Sequence, residues 1–338
     1  MAQAYMQETG RDGTGPERTG SRARRLMDQW RGPGVWRRGM VVAAFAALLG
    51  LLMLLHTHLP NRVGNLGSLT ETFLPWLGLG IPVLFALALL RRSATALIVL
   101  LLPVITWVNL FGGLLGDKSG KSGGNFTVAT HNVNAENPDP AGTARAVAAS
   151  GADVVALEEL SDASRYERAL AGTYKYHSVK GTVGIWSKYP LELVQPVDIR
   201  LGWVRALRAT VRSPEGPVAV YVAHLPSVRV KFNAGFTAGQ RDSSAEALGR
   251  AIAQEPEKRV VLLGDLNGTM NDRSLAPITS QLRSAQGAAG DGFGFSWPAS
   301  FPMARIDQIM VRGMEPKSAW TLPKTDSDHL PVAARVRI

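Results

Sequence analysis

The chain has 338 residues, 46% of them hydrophobic, with no cysteine and a formal net charge of +10. That length can bury a full core, and the missing cysteine excludes disulfides, thiolate metal sites and a cysteine nucleophile. Residues 1–40 hold eight basic against four acidic residues, 41–125 five against two, and 126–338 24 against 21. The C-terminal part is therefore nearly balanced, which argues against a nucleic-acid footprint as the source of the charge.

Residues 1–39 read as a basic cytoplasmic tail, polar and without a packable pattern over 1–20. Residues 40–116 read as a membrane domain with three transmembrane helices, at about 40–58, 69–90 and 95–115. Gly50 is the sole non-apolar interruption between Met40 and Leu55, while Glu71 lies near one end of the second span. Pro75, Pro82 and Pro103 are compatible with spanning helices, whose neighbours can satisfy freed backbone groups. A cleaved signal peptide is disfavoured by the long leader and by the two further apolar runs. Arg18, Arg22, Arg24, Arg25, Arg31, Arg37 and Arg38 precede the first span, and Arg91-Arg92 separates the second and third. Both clusters are expected in the cytoplasm, with Arg62 alone in the outer loop, so three crossings leave the C-terminal part extracytoplasmic. Residues 117–125 (DKSGKSGGN) read as a linker, which fully extended reaches about 30 Å.

From Phe126 onward, short β-like runs alternate with helical patterns. Strands are expected at 126–131, 154–157, 183–187, 207–211, 218–224, 260–263, 306–311 and 332–338, and helices at 141–150, 161–170 and 237–254. This is an α/β layered domain. Asn132, Glu159, His224, Asp265, Asn267 and Asp307 each follow or close an apolar run, which is where α/β sheets build sites. Asp265 and Asn267 alternate along what reads as an extended segment and so face one way. Ser327-Asp328-His329-Leu330-Pro331 adds a histidine beside a carboxylate just before the last strand. In isolation each of these is more often a turn residue or a helix start.

Six segments change that balance: Thr130-His131-Asn132-Val133, Asp153 to Glu159, Val222-Ala223-His224-Leu225, Gly264-Asp265-Leu266-Asn267, Ile306-Asp307 and Ser327-Asp328-His329. In order and approximate spacing they resemble the endonuclease/exonuclease/phosphatase superfamily across residues 126–338. The resemblance implies a four-layer α/β sandwich, two packed mixed β-sheets flanked by helices. It implies a metal-dependent phosphoric ester or anhydride hydrolase, with Asn132, Glu159 and Asp328 seating the metal. His224 would hydrogen-bond a phosphate oxygen, Asp265 and Asn267 would polarise water and hold the phosphate, and Asp307 with His329 would form a proton-transfer dyad. Whether Asp265 or His329 deprotonates the attacking water stays open. Glu158 stands where the family usually has Gln, as a neighbour that tunes the site or faces solvent. His131 replaces an aromatic residue and reads as packing, and Lys188 replaces Arg in a structural turn. An oxygen-rich set without cysteine suits Mg²⁺, with Mn²⁺ as a substitute.

The inferred topology selects a membrane-associated, phosphate-bearing substrate, because a short tether holds the domain against the lipid bilayer. Residues 225–236 (LPSVRVKFNAGF) mix apolar and basic side chains and could enter the interface. Phe293, Phe295, Trp297 and Phe301 are candidates for the rim of the site. The three-span leader with an external domain also resembles actinobacterial vancomycin- and teicoplanin-resistance proteins of the J type, which implies a polyprenyl carrier such as undecaprenyl diphosphate. A membrane-tethered nuclease is the alternative enzyme, not favoured by the charge balance, and a non-catalytic envelope binding protein the alternative class. No protein partner is implied.

Overall fold

The computed structural model describes residues 34–61, 64–120, 122–228, 230–231 and 235–338. Most of the basic tail, Arg62 and the centre of the 225–236 segment lie outside the described residues.

The strands, in chain order, are β1 (Phe126–Asn132), β2 (Val154–Glu158), β3 (Tyr176–Lys180), β4 (Val183–Ser187), β5 (Leu191–Pro196), β6 (Ala206–Ser213), β7 (Gly216–Ala223), β8 (Val230–Lys231), β9 (Gly235–Phe236), β10 (Val260–Asp265), β11 (Arg283–Ser284), β12 (Asp307–Arg312), β13 (Glu315–Thr321) and β14 (Val332–Arg337). One six-stranded sheet runs β13-β14-β1-β2-β4-β3 and the other β11-β12-β10-β7-β6-β5, with β8 and β9 paired separately. Both are mixed: β1 is parallel to β2 and antiparallel to β14, and β10 is parallel to β7 and antiparallel to β12.

Period-2 alternation sorts the side chains into layers. Phe126, Val128, Val154, Ala156 and Ile185 of the first sheet meet Val220, Val222, Val261, Leu263, Ile309 and Val311 of the second in one buried core. The opposite face of the first sheet, with Ala129, Val155, Leu157 and Trp186, packs on Val147 and Leu170 of the helices Pro140–Ala148 and Ala163–Leu170. That of the second, with Ala219, Tyr221 and Leu262, packs on Leu248 and Ile252 of the helix Gly239–Ala253. The four-layer sandwich expected from residue 126 onward is thus present.

The apolar segment departs from the expectation of three regular spans. The first helix is Met40–Leu54, 15 residues, about 22 Å at 1.5 Å per residue and short of a bilayer's apolar core. The second is broken: Leu66–Thr72 and Leu74–Leu90 meet at 71°. Pro75 opens the second half; Ser68 and Glu71 are buried in polar contacts with the sandwich, and Thr72 is buried with its hydroxyl donating to Ser68 O. The third, Ala94–Leu114, agrees with the expected 95–115 and is long and apolar enough to cross a membrane. By length and composition the described residues contain one such helix, or two if the bent pair counts as one. Their outer surfaces are apolar, with Phe45, Leu48, Val83, Ile105 and Val108 all more than half exposed.

This apolar unit is fastened to the sandwich. Arg241 and Asp272, both fully buried, pair at 2.6 Å, and Ser68 Oγ donates to Asp272 (2.9 Å) while accepting from Arg241 Nη2 (3.0 Å). Trp76 Nε1 donates to the Met303 carbonyl at 2.7 Å. The 117–125 segment is held as well as short: Lys118 N donates to Gly290 O and Asn125 N to Val336 O.

On the helix-covered face of the second sheet, Glu255 accepts from Arg208 Nε (3.0 Å) and Nη2 (2.8 Å) and from Tyr221 OH (2.8 Å). Burial pulls the Glu255 carboxyl up, but these bonds outweigh it and hold the group below its ordinary 4.5. A depressed carboxyl contributes stability above its unfolded value and loses it as pH falls through the folded one. Glu255→Gln should therefore cost about 3 kcal/mol near neutral pH, and the gap to the wild type should narrow below about pH 4.5. Urea unfolding of the detergent-solubilised chain at a series of pH values reads both effects; a gap that widens in acid would contradict them.

Candidate active site

The same alternation that builds the core delivers the polar groups. On β1 the inward positions Phe126, Val128 and Thr130 continue to Asn132, and on β10 Val261 and Leu263 continue to Asp265. The inward run Val218, Val220, Val222 on β7 continues to His224, and on β12 Asp307 precedes Ile309 and Val311. The register sets Asp265 directly across from Asp307. Gly264 lets the end of β10 pass close to β7: its φ is +140°, and a Cβ there would sit 1.9 Å from the Ala223 carbonyl oxygen.

His329 arrives from the loop before β14. Ser327 fixes that loop, its Oγ donating to the Asn132 carbonyl (2.7 Å) and accepting from the His329 N–H (3.0 Å). The His329 ring then places Nδ1 2.9 Å from Asp307 Oδ2, with Nε2 3.9 Å from Asp265 Oδ2. This is the dyad geometry expected of Asp307 and His329.

Across the cleft, Asn132 Nδ2 donates to Glu159 Oε1 (3.1 Å) and Asp265 Oδ2 (3.0 Å). Glu159, the residue after β2, has φ +62°, a left-handed conformation that turns its carboxylate into the cleft. His224 Nε2 lies 3.5 Å from Glu159 and 3.6 Å from Asp265. Asn267 differs from expectation: with φ +46° it sits in a turn, not on an extended strand. Its N–H and Nδ2 both donate to Asp265 and Nδ2 also to Leu225 O, so it steadies Asp265.

Two neighbouring expectations are now decided. Glu158 does not face solvent; it is wholly buried, accepts from Thr130 Oγ1 (2.8 Å) and leaves Oε2 without a partner. Burial raises its carboxyl well above the usual range against the opposing Thr130 bond, which makes it a neutral group beneath the site. His131 is also buried, hydrogen-bonded to Thr325 Oγ1 at 2.8 Å, and burial lowers its imidazole to about 3.

Burial also lowers His224 well below its ordinary value, with Arg205 and His329 adding to the effect. Neutral His224 is suited to donate to a phosphate oxygen. For His329, burial alone would lower the imidazole, but Asp307 and Asp265 raise it to about 10; burial conversely raises Asp265 to about 7.

Ligand atoms of Asp265, Asp307 and His329 all lie within 4.8 Å of one another. Two buried carboxylates this close repel each other, and positive charge beside them, of which His329 supplies part, relieves that. With Glu159 linked to Asp265 through Asn132, the donor set fits a hard divalent ion. Asp328 is not part of that cluster. It is exposed on the cavity wall because the loop turns Ser327 and His329 inward on either side of it.

Three contributors escaped the sequence. Arg205, on the chain entering β6, lays its guanidinium against the His224 ring and 5.1 Å over the Trp203 ring. Thr72 and Phe73, at the break in the second apolar helix, join Glu159, Asp265, Asn267, Trp297, Asp328 and His329 around a cavity of about 400 Å³. Composition alone does not assign a half-buried apolar segment to a distant catalytic cleft. Of the aromatic residues named for the rim, Trp297 lines this cavity, whereas Phe293 and Phe295 face another.

Two facing six-stranded sheets with helices outside and a polar cleft at the strand ends define an α/β sandwich. The profile of the Endonuclease/Exonuclease/phosphatase family matches residues 129–329, and the chain belongs to this family. Among solved structures it is similar to a zebrafish (D. rerio) TDP2 complexed with a single-strand DNA product, at 19% identity and TM-score 0.53, over 63% of this chain and 99% of that one. It is likewise similar to mannosyl-6-phosphatase Bt3783 of Bacteroides thetaiotaomicron (16%, TM-score 0.51, 63% and 100%). A third is an endonuclease/exonuclease/phosphatase from Beutenbergia cavernae (19%, TM-score 0.51, 64% and 72%). These likenesses concern the fold. No curated protein matches the chain.

If the metal is seated on the Glu159–Asp265 side and the dyad stands apart from it, Glu159→Gln and Asp265→Asn should weaken Mn²⁺ binding by about tenfold or more, the loss typical of altered metal shells. Asp307→Asn should leave it within about threefold. Electron paramagnetic titration of free Mn²⁺ separates the two, and an equally large loss for Asp307→Asn would put Asp307 among the ligands.

Proposed function

We propose that this chain is a Mg²⁺-dependent hydrolase of a lipid-linked phosphate ester or anhydride, with Mn²⁺ able to substitute, and that its sandwich sits at the outer surface of the cell membrane. The observation that carries this reading is the wall formed by Thr72 and Phe73: an apolar, membrane-type segment lines the same cavity as the hydrolytic groups. A substrate that fills the cleft meets both.

The orientation rests on where the charges and the sandwich lie. Thr95 Oγ1 donates to Trp36 O and Ala94 N to Val35 O, which brings Arg37-Arg38 and Arg91-Arg92 to one end of the apolar unit. The sandwich meets the other end, where Arg273 donates to the carbonyls of Thr57 and Leu59 and Lys118 follows the third helix. The basic end is expected in the cytoplasm and the catalytic end outside.

In the proposed reaction Asp265, Glu159 and Asn132 would hold the metal, and Asp328 orients groups at the rim. The bound ion would supply Lewis-acid polarisation of the phosphoryl oxygen. Asp307 fixes the tautomer and aim of His329, whose Nε2 faces the cleft to manage the proton of the attacking water. His224 donates to the phosphate oxygen as charge builds, with Arg205 adding positive potential beside it. Asn267 keeps Asp265 in place. No covalent intermediate with the protein is required.

The test is a substrate screen of the full chain in mild detergent with Mg²⁺. Undecaprenyl diphosphate is the first candidate, suggested by the resemblance to glycopeptide-resistance proteins, with phospholipids, bis(p-nitrophenyl) phosphate and single-stranded DNA alongside. Release of phosphate from the polyprenyl substrate is expected, and His329→Ala should lower kcat by about 10²–10⁴. Phe73→Ala should raise KM for the lipid substrate by about tenfold, the effect of a few kcal/mol or less of lost apolar contact, and leave bis(p-nitrophenyl) phosphate nearly unchanged. Cleavage of DNA with all lipids inert would replace this reading with that of a surface nuclease.

A further inference from the structure

A second cavity, of about 300 Å³, lies between the apolar helices and the sandwich. Leu110, Phe111 and Leu114 at the end of the third helix form one side, and Met270, Phe293 and Phe295 the other. The wall is aromatic and continuous: Phe293 stacks on Phe295 at 5.1 Å and meets Phe111 at 5.9 Å. Thr72 borders this cavity and the catalytic one alike.

Two cations interrupt that apolar lining, Arg305 and Lys118, and no acidic residue lines it. Arg305 is only 9% exposed, its Nη1 donates to the Phe293 carbonyl at 3.3 Å, and its Nε is buried without any partner. No carboxylate among the described residues is within ion-pairing distance of it. Lys118 Nζ reaches only a carbonyl, that of Gly287, at 3.1 Å. A buried guanidinium without a counter-charge is costly, and here its hydrogen-bonding capacity is left partly unused. Two such cations on one wall are suited to bind an anion.

The surroundings specify what kind. The cavity opens where the helix Ala94–Leu114, the one long enough for a crossing, comes to its end, and Leu115 beyond it is 59% exposed. Leu110 and Leu114, one turn apart on that helix, carry the apolar lining along its inner face. A free phosphate would satisfy the cations and leave the phenyl rings and the leucine-lined approach unused.

We propose that this cavity is a binding site for an anionic phospholipid, with the head-group phosphate at Arg305 and Lys118 and an acyl chain along Leu110 and Leu114. The bound lipid stands between the apolar unit and the sandwich and so braces the Thr72–Phe73 wall of the catalytic cleft. This inference rests on the apolar helices lying in a bilayer; it does not depend on which phosphate the enzyme hydrolyses.

Delipidated full-length protein would be offered equal amounts of dioleoylphosphatidylglycerol and dioleoylphosphatidylcholine and its adducts weighed by native mass spectrometry. One retained phosphatidylglycerol per chain is expected, recovered intact, with occupancy about tenfold lower in Arg305→Gln. Gly113→Leu gives an independent reading should Arg305→Gln fold poorly. A Cβ at Gly113 meets only Lys118 Nζ, at 3.6 Å, so the added side chain fills the cavity and leaves Arg305 intact; it should also displace the lipid. Equal retention of the two lipids, wild-type occupancy in Gly113→Leu, or full displacement by millimolar inorganic phosphate would each overturn the proposal. Because no hydrolysis is measured, failure of the hydrolase reading leaves this result intact.

Discussion

Two aspartates facing each other across adjacent strands, with a histidine between them, set the terms for the rest of the molecule. Asp265 and Asp307 are paired in register, both about 1% exposed, at the end of a sheet whose other inward positions are Val and Leu. Such a pair is unstable as two free carboxylates in a dry interior. The structure answers with donors on every side: Asn132 and Asn267 to Asp265, His329 to Asp307. The charge that remains is what a cation bound on the Asp265 side would offset. The apolar β-sandwich is thus the reason the site is reactive, since the same carboxylates in water would neither repel strongly nor bind a cation tightly.

The second organising fact is that the cleft is not a property of the sandwich alone. The bend between Thr72 and Leu74 drives one apolar segment onto the sandwich, where Ser68 completes the buried Arg241–Asp272 pair and Glu71 accepts the Arg273 N–H. Polar residues in a hydrophobic run look like blemishes in a membrane span. Here they are the docking groups, and the span is broken because they are satisfied by another layer of the protein.

That distinction explains what could be read from the chain and what could not. Strand parity made Asn132, His224, Asp265 and Asp307 legible, because each extends an alternating apolar run by one inward step, and the order of the six motifs added Glu159 and His329. The Asp265–Asn267 spacing misled, because a period of two means a shared face only while the chain stays extended, and Asn267 turns at φ +46°. Hydropathy located the apolar helices but counted Glu71 and Pro75 as tolerable inside one, whereas they mark its break. Arg205 and Arg305 carry no local signal at all. Their surroundings come from what they are packed against, His224 and Trp203 in one case and a cavity lined by Phe111, Phe293 and Phe295 in the other, and contacts so distant in sequence have no periodicity to reveal them.

The seam held by Ser68, Trp76 and Lys118 also bears on modularity. All the groups assigned to hydrolysis lie after Phe126, so the sandwich looks separable at the 117–125 segment. Cutting there would strip Ser68 from the Arg241–Asp272 pair, bare Phe293 and Phe295 to water and remove one wall of the cleft. A sandwich freed from the apolar unit would need that face rewritten first. The two halves are therefore joined by a buried seam and a shared cleft, and not by the 117–125 segment alone.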